Sequence, residues 1–307
     1  SVVDEVAQAF SNSGKLYLAY SDNCGPNLSP TAGAVYVYDT QSDRFTDITP
    51  DLNDGRQGGF GGISVDVRNP DTVVVSTLGW WSDNGDNLYY TTDGGDSWSG
   101  LFNLNTKENH YQMDTAQAEW LDWGRGENQA KTGWWVADVN INPFNSDEVM
   151  YGTGATIYST QNMTKIGTEP VTIAFDAYGL EETAVFKMLA PPSKDDSPQL
   201  YSIMGDLTGF AHKDVTQCPD DAHFMKNGKP TDLDVAFQNP NTAVYLSEEK
   251  TTTINFTQDG GATWETVKHK PDPATGGQVA MSADGSSTIW VPNSISGKPY
   301  VTTDLGK

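Results

Sequence analysis

Apolar and polar positions along this chain alternate in short runs, and almost nowhere does the three-to-four-residue spacing of a helix face appear. The runs are rich in Val, Ile, Tyr and Thr: "KLYLAYS", "GAVYVYD", "TVVVSTL", "NLYYTTD", "EVMYGTG", "TAVYLSE" and "TTTINFT". β-Branched and aromatic side chains suit a pleated surface, and the Gly, Asp, Asn and Pro between the runs suit turns. The pattern predicts an all-β chain.

A repeat organises the runs. "YYTTDGGDSW" (Tyr89–Trp98) returns as "NFTQDGGATW" (Asn255–Trp264) and begins again as "YVTTDLGK" (Tyr300–Lys307). A weaker copy, "YVYDTQSDRF", lies at Tyr36–Phe45, and hairpin-like breaks fall near Asn162 and Asp214. Asp214, Asp259 and Asp304 are spaced 45 residues apart. A period of roughly 40–50 residues with several strands per unit predicts β-propeller blades. The repeated segment resembles the Asp box, S/T-x-D-x-G-x-T-W. In such a turn the carboxylate accepts backbone N–H bonds, the glycines take positive φ and the Trp packs between blades. Asp93, Asp259 and Asp304 are therefore read as turn staples rather than catalytic acids. Six hairpin positions are fewer than a seven-bladed ring needs, and the chain stops inside its third Asp box. It reads as a segment of a longer polypeptide whose open sheet edges another segment covers.

Composition narrows the function. With 307 residues the chain can hold one large or two ordinary cores. Its 41 acids against 18 bases give a net charge of −23, which repels phosphate backbones and argues against nucleic acid. No apolar run approaches the ~18 residues of a membrane span, and the opening "SVVDEVAQAF" has no signal-peptide pattern. Two distant cysteines, Cys24 and Cys218, form no disulfide framework. Sequons at Asn27, Asn162 and Asn255, the first disfavoured by Pro30, lean towards secretion. The histidines, His110, His212, His223 and His269, show no metal-ligand spacing, so neither metal nor other cofactor is expected.

Candidate chemistry centres on one carboxylate and several indoles. In "LYSIMGDLTGFAH" (Leu200–His212) a single acid, Asp206, ends an apolar strand beside two glycines. Flanked by Ile203, Met204, Leu207 and Phe210, its carboxyl is partly desolvated, which favours the protonated form that a general acid needs. An acid in a blade turn is the other reading of these residues. Sugars present flat C–H faces, and an aromatic ring beneath one contributes about 0.5–1.5 kcal/mol beyond burial. Trp80 and Trp81 in "LGWWSDN", Trp120 in "AEWLDWG", and Trp134 and Trp135 in "TGWWVADV" are the candidate platforms. Neighbours on extended chain face opposite ways, so each doublet is expected to split between core and cleft. Glu181 and Glu182 read as structural, and Asp122 as a minor candidate for binding a sugar hydroxyl.

Read in order, "LYLAYSDNCGPNLSPTAGAVYVYDT" with "DITP", "GFGGISVDVRNPDTVVVSTLGWW", "TGWWVADVNINPFNSDEVMYGTGATIYST", "GLEETAV" and "GDLTGF" resemble glycoside hydrolase family 74. That family comprises xyloglucan-cleaving endoglucanases and reducing-end-specific oligoxyloglucan hydrolases. The resemblance implies two seven-bladed propellers facing across a cleft, residues 1–185 supplying later blades of the first and residues 186–307 opening blades of the second. It implies inverting hydrolysis of a β-1,4-glucan backbone, with Asp206 as general acid. It places Trp120, Trp134 and the first doublet along the cleft. One departure stands out: the family motif has a second Gly where this chain has Thr208. The family's base sits in a motif resembling "RTDIGG", which residues 1–307 lack, so the base is expected from polypeptide outside them. The implied partners are a polysaccharide, xyloglucan or a related β-glucan, and the remaining segments of the same enzyme, in a secreted protein. The rival is a non-catalytic Asp-box propeller that binds glycan or protein. A sialidase is disfavoured because it needs an arginine cluster for its substrate carboxylate.

Overall fold

The computed structural model describes residues 5–306, less 12, 24–29, 53–57, 81–84, 104, 118–130, 181–183, 194–195, 206–207, 218, 220–228, 249–250, 272–274 and 294–296. Consecutive apolar runs pair with one another into antiparallel meanders. Two compact units result, the first ending at Glu181 and the second running from Glu182 to Lys307.

In the first unit, β1 (Glu5–Phe10), β2 (Lys15–Ser21), β3 (Gly33–Asp39) and β4 (Arg44–Asp47) pair in sequence order. So do β5 (Gly59–Val65), β6 (Val73–Leu78), β7 (Leu88–Thr91) and β8 (Ser99–Gly100). A hairpin, β9 (Phe102–Asn103) with β10 (Glu108–Asn109), and β11 (Tyr111–Asp114) precede the third meander. That meander is β12 (Asp138–Asn142), β13 (Asn145–Gly152), β14 (Ile157–Thr160) and β15 (Val171–Phe175), with β11 added in parallel alongside β15.

The second unit repeats the plan. Its sheets are β16 (Val185–Leu189), β17 (Leu200–Met204) and β18 (Thr208–His212); β19 (Lys229–Val235), β20 (Ala243–Glu248), β21 (Thr252–Thr257) and β22 (Glu265–Thr266); and β23 (Gln278–Met281), β24 (Thr288–Val291) and β25 (Tyr300–Thr302).

The strand period of two explains why the second strands β6 and β20 are buried along nearly their whole length. Side chains alternate across a strand, so a sheet with neighbours on both faces needs apolar residues at every position. On β6, Val73 and Val75 join Tyr17, Val35 and Phe60 in one core, while Val74 joins Val139 and Tyr151 in another. On β20, Ala243 and Tyr245 pack with Tyr201 and Leu233, whereas Val244 and Leu246 pack with Val279 and Trp290. Each buried valine of this kind contributes about 1.5–3 kcal/mol. Sheets therefore stack within each unit.

The six hairpin positions fall where the third strand of each meander ends. Asp39 Oδ1 accepts the N–H groups of Gln41 and Ser42 after β3, and Asp214 Oδ1 accepts that of Thr216 after β18. Asn162 takes the same place after β14, its Oδ1 accepting the Thr172 N–H at 2.9 Å. After β7, Asp93 accepts from Ser97 N–H at 2.9 Å, Ser97 Oγ at 2.6 Å and Thr91 Oγ1 at 2.6 Å. After β21, Asp259 accepts from Thr263 N–H at 2.9 Å, Thr263 Oγ1 at 2.5 Å and Thr257 Oγ1 at 2.7 Å. After β25, Asp304 accepts from Thr302 Oγ1 at 2.6 Å and from Gly306 N–H at 3.0 Å. Gly95 and Gly261 have φ near 98° and 90°, and a Cβ on either would come within 2.8 Å of Ile48 or Ala211. Glycine is required there by conformation and by space.

Two sequons are answered by packing. Asn255 is wholly buried, its Nδ2 donating to Thr253 Oγ1 and its Oδ1 accepting from Thr266 Oγ1. Asn162 Nδ2 donates to the Pro170 carbonyl, closing its own turn. The wholly buried Asn255 amide has no access for a glycan in this fold. Asn27, Cys24 and Cys218 lie outside the described residues. No helix among the described residues is long and apolar enough to cross a membrane.

Candidate active site

The hairpin that carries Asp206 is built from β17 and β18. Met204 stands opposite Thr208 in the ladder, with residues 205–207 joining them. Ile203, Met204 and Phe210 are buried, and the Gly205 N–H donates to the Ala184 carbonyl at 2.9 Å, tying the strand end to the chain before β16. Asp206 and Leu207 themselves lie outside the described residues.

Thr208 departs from ordinary backbone geometry. Its φ is 65°, in the left-handed region, and its side chain is buried. For a β-branched residue this conformation is strained by about 1–3 kcal/mol, whereas glycine adopts it freely. The family's second glycine fits this backbone without strain. Threonine here is held by its surroundings.

The tryptophans divide unevenly. Trp80 is buried in the core formed by Leu101, Tyr111 and Val136, and lies over Gly58, where a Cβ would meet its Nε1 at 2.5 Å. Trp81 and Trp120 lie outside the described residues, as do Asp122, Glu181 and Glu182.

Trp134 and Trp135 differ from the expectation for an extended doublet. Both are half-buried, and both lie against the same residue: a Cβ on Gly154 would come 2.3 Å from the Trp135 ring and 3.0 Å from Trp134 Nε1. The reason is local. Gly133 and Trp135 have φ of 91° and 61°, so the chain turns here instead of alternating faces. Gly154 N–H also donates to the Trp134 carbonyl at 2.7 Å. A bulky residue in the left-handed region is uncommon, and such strain clusters at functional sites.

One acid that sequence reasoning passed over organises this region. Asp86 is 1% exposed, and its two carboxyl oxygens meet four donors. Oδ1 accepts from Thr77 Oγ1 at 3.0 Å and Trp80 N–H at 2.9 Å; Oδ2 accepts from Gly79 N–H at 3.0 Å and Val136 N–H at 3.2 Å. Thr77 Oγ1 already accepts the Asn87 N–H at 2.8 Å, so its own proton goes to Asp86. Burial pushes the carboxyl up from the usual carboxylate range, while the donors from Trp80, Val136, Gly79 and Thr77 pull it down. Three of the four partners are backbone N–H groups that can only donate, an arrangement that favours the charged form against the cost of burial. The only sequence signal was an acid beside glycine in "SDNGDN", which reads as a loop.

The turn aspartates are electrostatically opposite to a proton donor. Hydrogen bonds from the Ser97 and Thr91 hydroxyls hold Asp93 at about 2. For Asp259, burial raises the carboxyl, but the Thr263 and Thr257 bonds outweigh it and the group stays low. Groups that ionise so readily cannot hold a proton for a leaving group at neutral pH. Among the described residues no set of three or more His, Cys, Asp or Glu side chains is placed to hold a metal ion.

Comparison with known proteins places this geometry. The chain is 36% identical over 311 residues to a xyloglucanase of Acetivibrio thermocellus, covering 96% of this chain and 36% of that one. It is 31% identical over 360 residues to an oligoxyloglucan-reducing end-specific xyloglucanase of Emericella nidulans, covering 96% and 43%. The structure superposes on the GH74 xyloglucanase from Xanthomonas campestris with a TM-score of 0.79 at 25% identity, over 99% of this chain and 41% of that one. The chain belongs to the GH74 xyloglucanase family. A GH74 enzyme of Niastella koreensis gives a TM-score of 0.81 at 25% identity, over 97% and 40%. No protein-family model matches the chain. The GH74 chain described here thus spans about two-fifths of the length of these relatives.

Proposed function

We propose that this chain is part of a secreted glycoside hydrolase that cleaves the β-1,4-glucan backbone of xyloglucan with inversion. The observation that carries the reading is the family match, which runs over nearly the whole chain and includes the β17–β18 hairpin. On this reading residues 1–185 belong to a first propeller and residues 186–307 to a second. Asp206 protonates the glycosidic oxygen as its bond to the anomeric carbon breaks. A water attacks that carbon from the opposite face and gives its proton to a carboxylate base. Inverting enzymes hold the two carboxyls roughly 6.5–9.5 Å apart to admit that water. The base comes from polypeptide outside residues 1–307.

The burial of Ile203, Met204 and Phe210 on the same hairpin supports the acid role, because desolvation favours a protonated carboxyl at working pH. The half-buried Trp134–Trp135 turn supports a sugar-binding role for those indoles, and Trp81 and Trp120 complete the set we assign to the polymer. Xyloglucan is too large to cross a membrane, so we place the enzyme outside the cell. The full-length enzyme incubated with xyloglucan should release oligosaccharides whose newly formed ends carry the α configuration first. Product size over time separates internal cleavage from release at the reducing end. Asp206→Ala should lower kcat by about 10²–10⁴-fold without unfolding the protein. Binding of xyloglucan without any cleavage by the parent enzyme would favour a glycan-binding propeller instead.

A further inference from the structure

Asp86 brackets one turn from both ends. Its carboxylate accepts the N–H of Val136, the residue directly after strained Trp135. Its backbone holds the other end: Asp86 N–H donates to the Gly133 carbonyl at 2.7 Å, and Thr132 Oγ1 donates to the Asp86 carbonyl at 2.6 Å. Gly85 sits so close that a Cβ there would lie 2.1 Å from the Gly133 oxygen. The same carboxylate accepts the N–H groups of Gly79 and Trp80, at the root of the first doublet. One buried anion thus joins the segment that carries Trp80 to the segment that carries Trp134 and Trp135.

A turn whose tryptophan has φ of 61° does not keep that shape unaided. Charge-assisted bonds to a carboxylate are about twice as strong as neutral ones, and burial removes competing water. We propose that Asp86 is a positioning residue for the polysaccharide: it fixes the turn that carries Trp134 and Trp135, and with it the angle at which those indoles meet a sugar ring. The inference rests on the xyloglucan reading of the site and adds a residue that touches no sugar.

Asp86→Asn in the full-length enzyme tests it. The amide keeps the shape but offers one NH₂ group where two donors now point, so one pair of bonds is lost. Leaving buried donors unpaired corresponds to about a tenfold effect or more. Exchange of the Gly79, Trp80 and Val136 amides should quicken by at least about tenfold, while Val244 and Leu246 in the second unit keep their rates. KM for xyloglucan should rise about tenfold with kcat within about twofold, the mark of lost ground-state binding. Should Asp86→Asn fail to fold, Thr77→Val removes one donor, together with the acceptor of the Asn87 N–H, keeps the charge, and should shift both readouts the same way by about threefold. Unchanged exchange overturns the proposal, and so does faster exchange with an unchanged KM. A parent enzyme with no affinity for xyloglucan would sink the family-based activity and the sugar half of this inference, while the exchange rates would still uphold or overturn the fixing of the turn.

Discussion

The hydroxyl of Tyr17 donates to the carbonyl of Pro70 across 3.0 Å, from β2 to the turn between β5 and β6. The second unit repeats the bond: Tyr201 on β17 donates to Pro240, between β19 and β20, at 2.8 Å. Both carbonyls lie in matching turns, "NPDT" and "NPNT", where Asn69 and Asn239 donate to Thr72 and Thr242. A buried phenol needs a partner for its hydroxyl, and for Tyr17 and Tyr201 that partner lies in the turn of the next sheet. The repeat is thus written between meanders as well as within them.

Tyr17→Phe should destabilise the full-length protein by about 1 kcal/mol, the usual net value of one hydrogen bond. Tyr201→Phe should do likewise. The two tyrosines share no partner, so their effects should add in the double variant. Urea unfolding followed by tryptophan fluorescence reads all three. A double variant no less stable than either single one would mean that the bonds do not hold the sheets independently.

The Asp93 turn predicts an acid-side weakness. Its carboxyl falls from an ordinary 3.8 to about 2 in the folded protein, through the Ser97 and Thr91 hydroxyls. A folded value below the unfolded one means that the contribution is present above about pH 4 and disappears as pH falls towards 2. The group is exposed, so the effect is small. Melting temperature measured from pH 5 to pH 2 should decline less steeply for Asp93→Ala than for the parent. Parallel curves would show that the turn contributes nothing through its charge.

Thr208→Gly should stabilise the protein. Relief of the left-handed strain gives about 1–3 kcal/mol, and the added freedom of unfolded glycine takes back about 0.5–1 kcal/mol. The net gain is about 1 kcal/mol, or roughly 2–4 °C in Tm. Because the glycine matches the family motif, hydrolysis should persist within about threefold of the parent. A lower Tm would mean that contacts of the buried threonine outweigh its strain.

What the residues disclosed in advance follows from range. The strands and the six turn positions were legible because alternation, Thr-x-Asp spacing and glycine act within a few neighbours. Asp86 was not, since its partner Val136 lies 50 positions away and no local pattern links them. The posture of Trp134 and Trp135 was missed for a related reason. Alternation assumes extended chain, and the φ of Trp135 depends on a pocket assembled by Gly154 and Asp86. The burial of Trp80 could be anticipated only as one of two alternatives for its doublet.

Gly154 offers a direct test of that pocket. Alanine would place a methyl group 2.3 Å from the Trp135 ring and 3.0 Å from Trp134 Nε1, so at least one indole must move. Such overpacking destabilises by about 1–3 kcal/mol. If the indoles carry the sugar, Gly154→Ala should also raise KM for xyloglucan several-fold while leaving kcat within about twofold, since the proposed proton donor, Asp206, belongs to another hairpin. Glycine at this position then has a binding role as well as a packing one. Equal losses in kcat and kcat/KM would instead place the indoles in the transition state alone, and an unchanged KM would remove them from the binding surface.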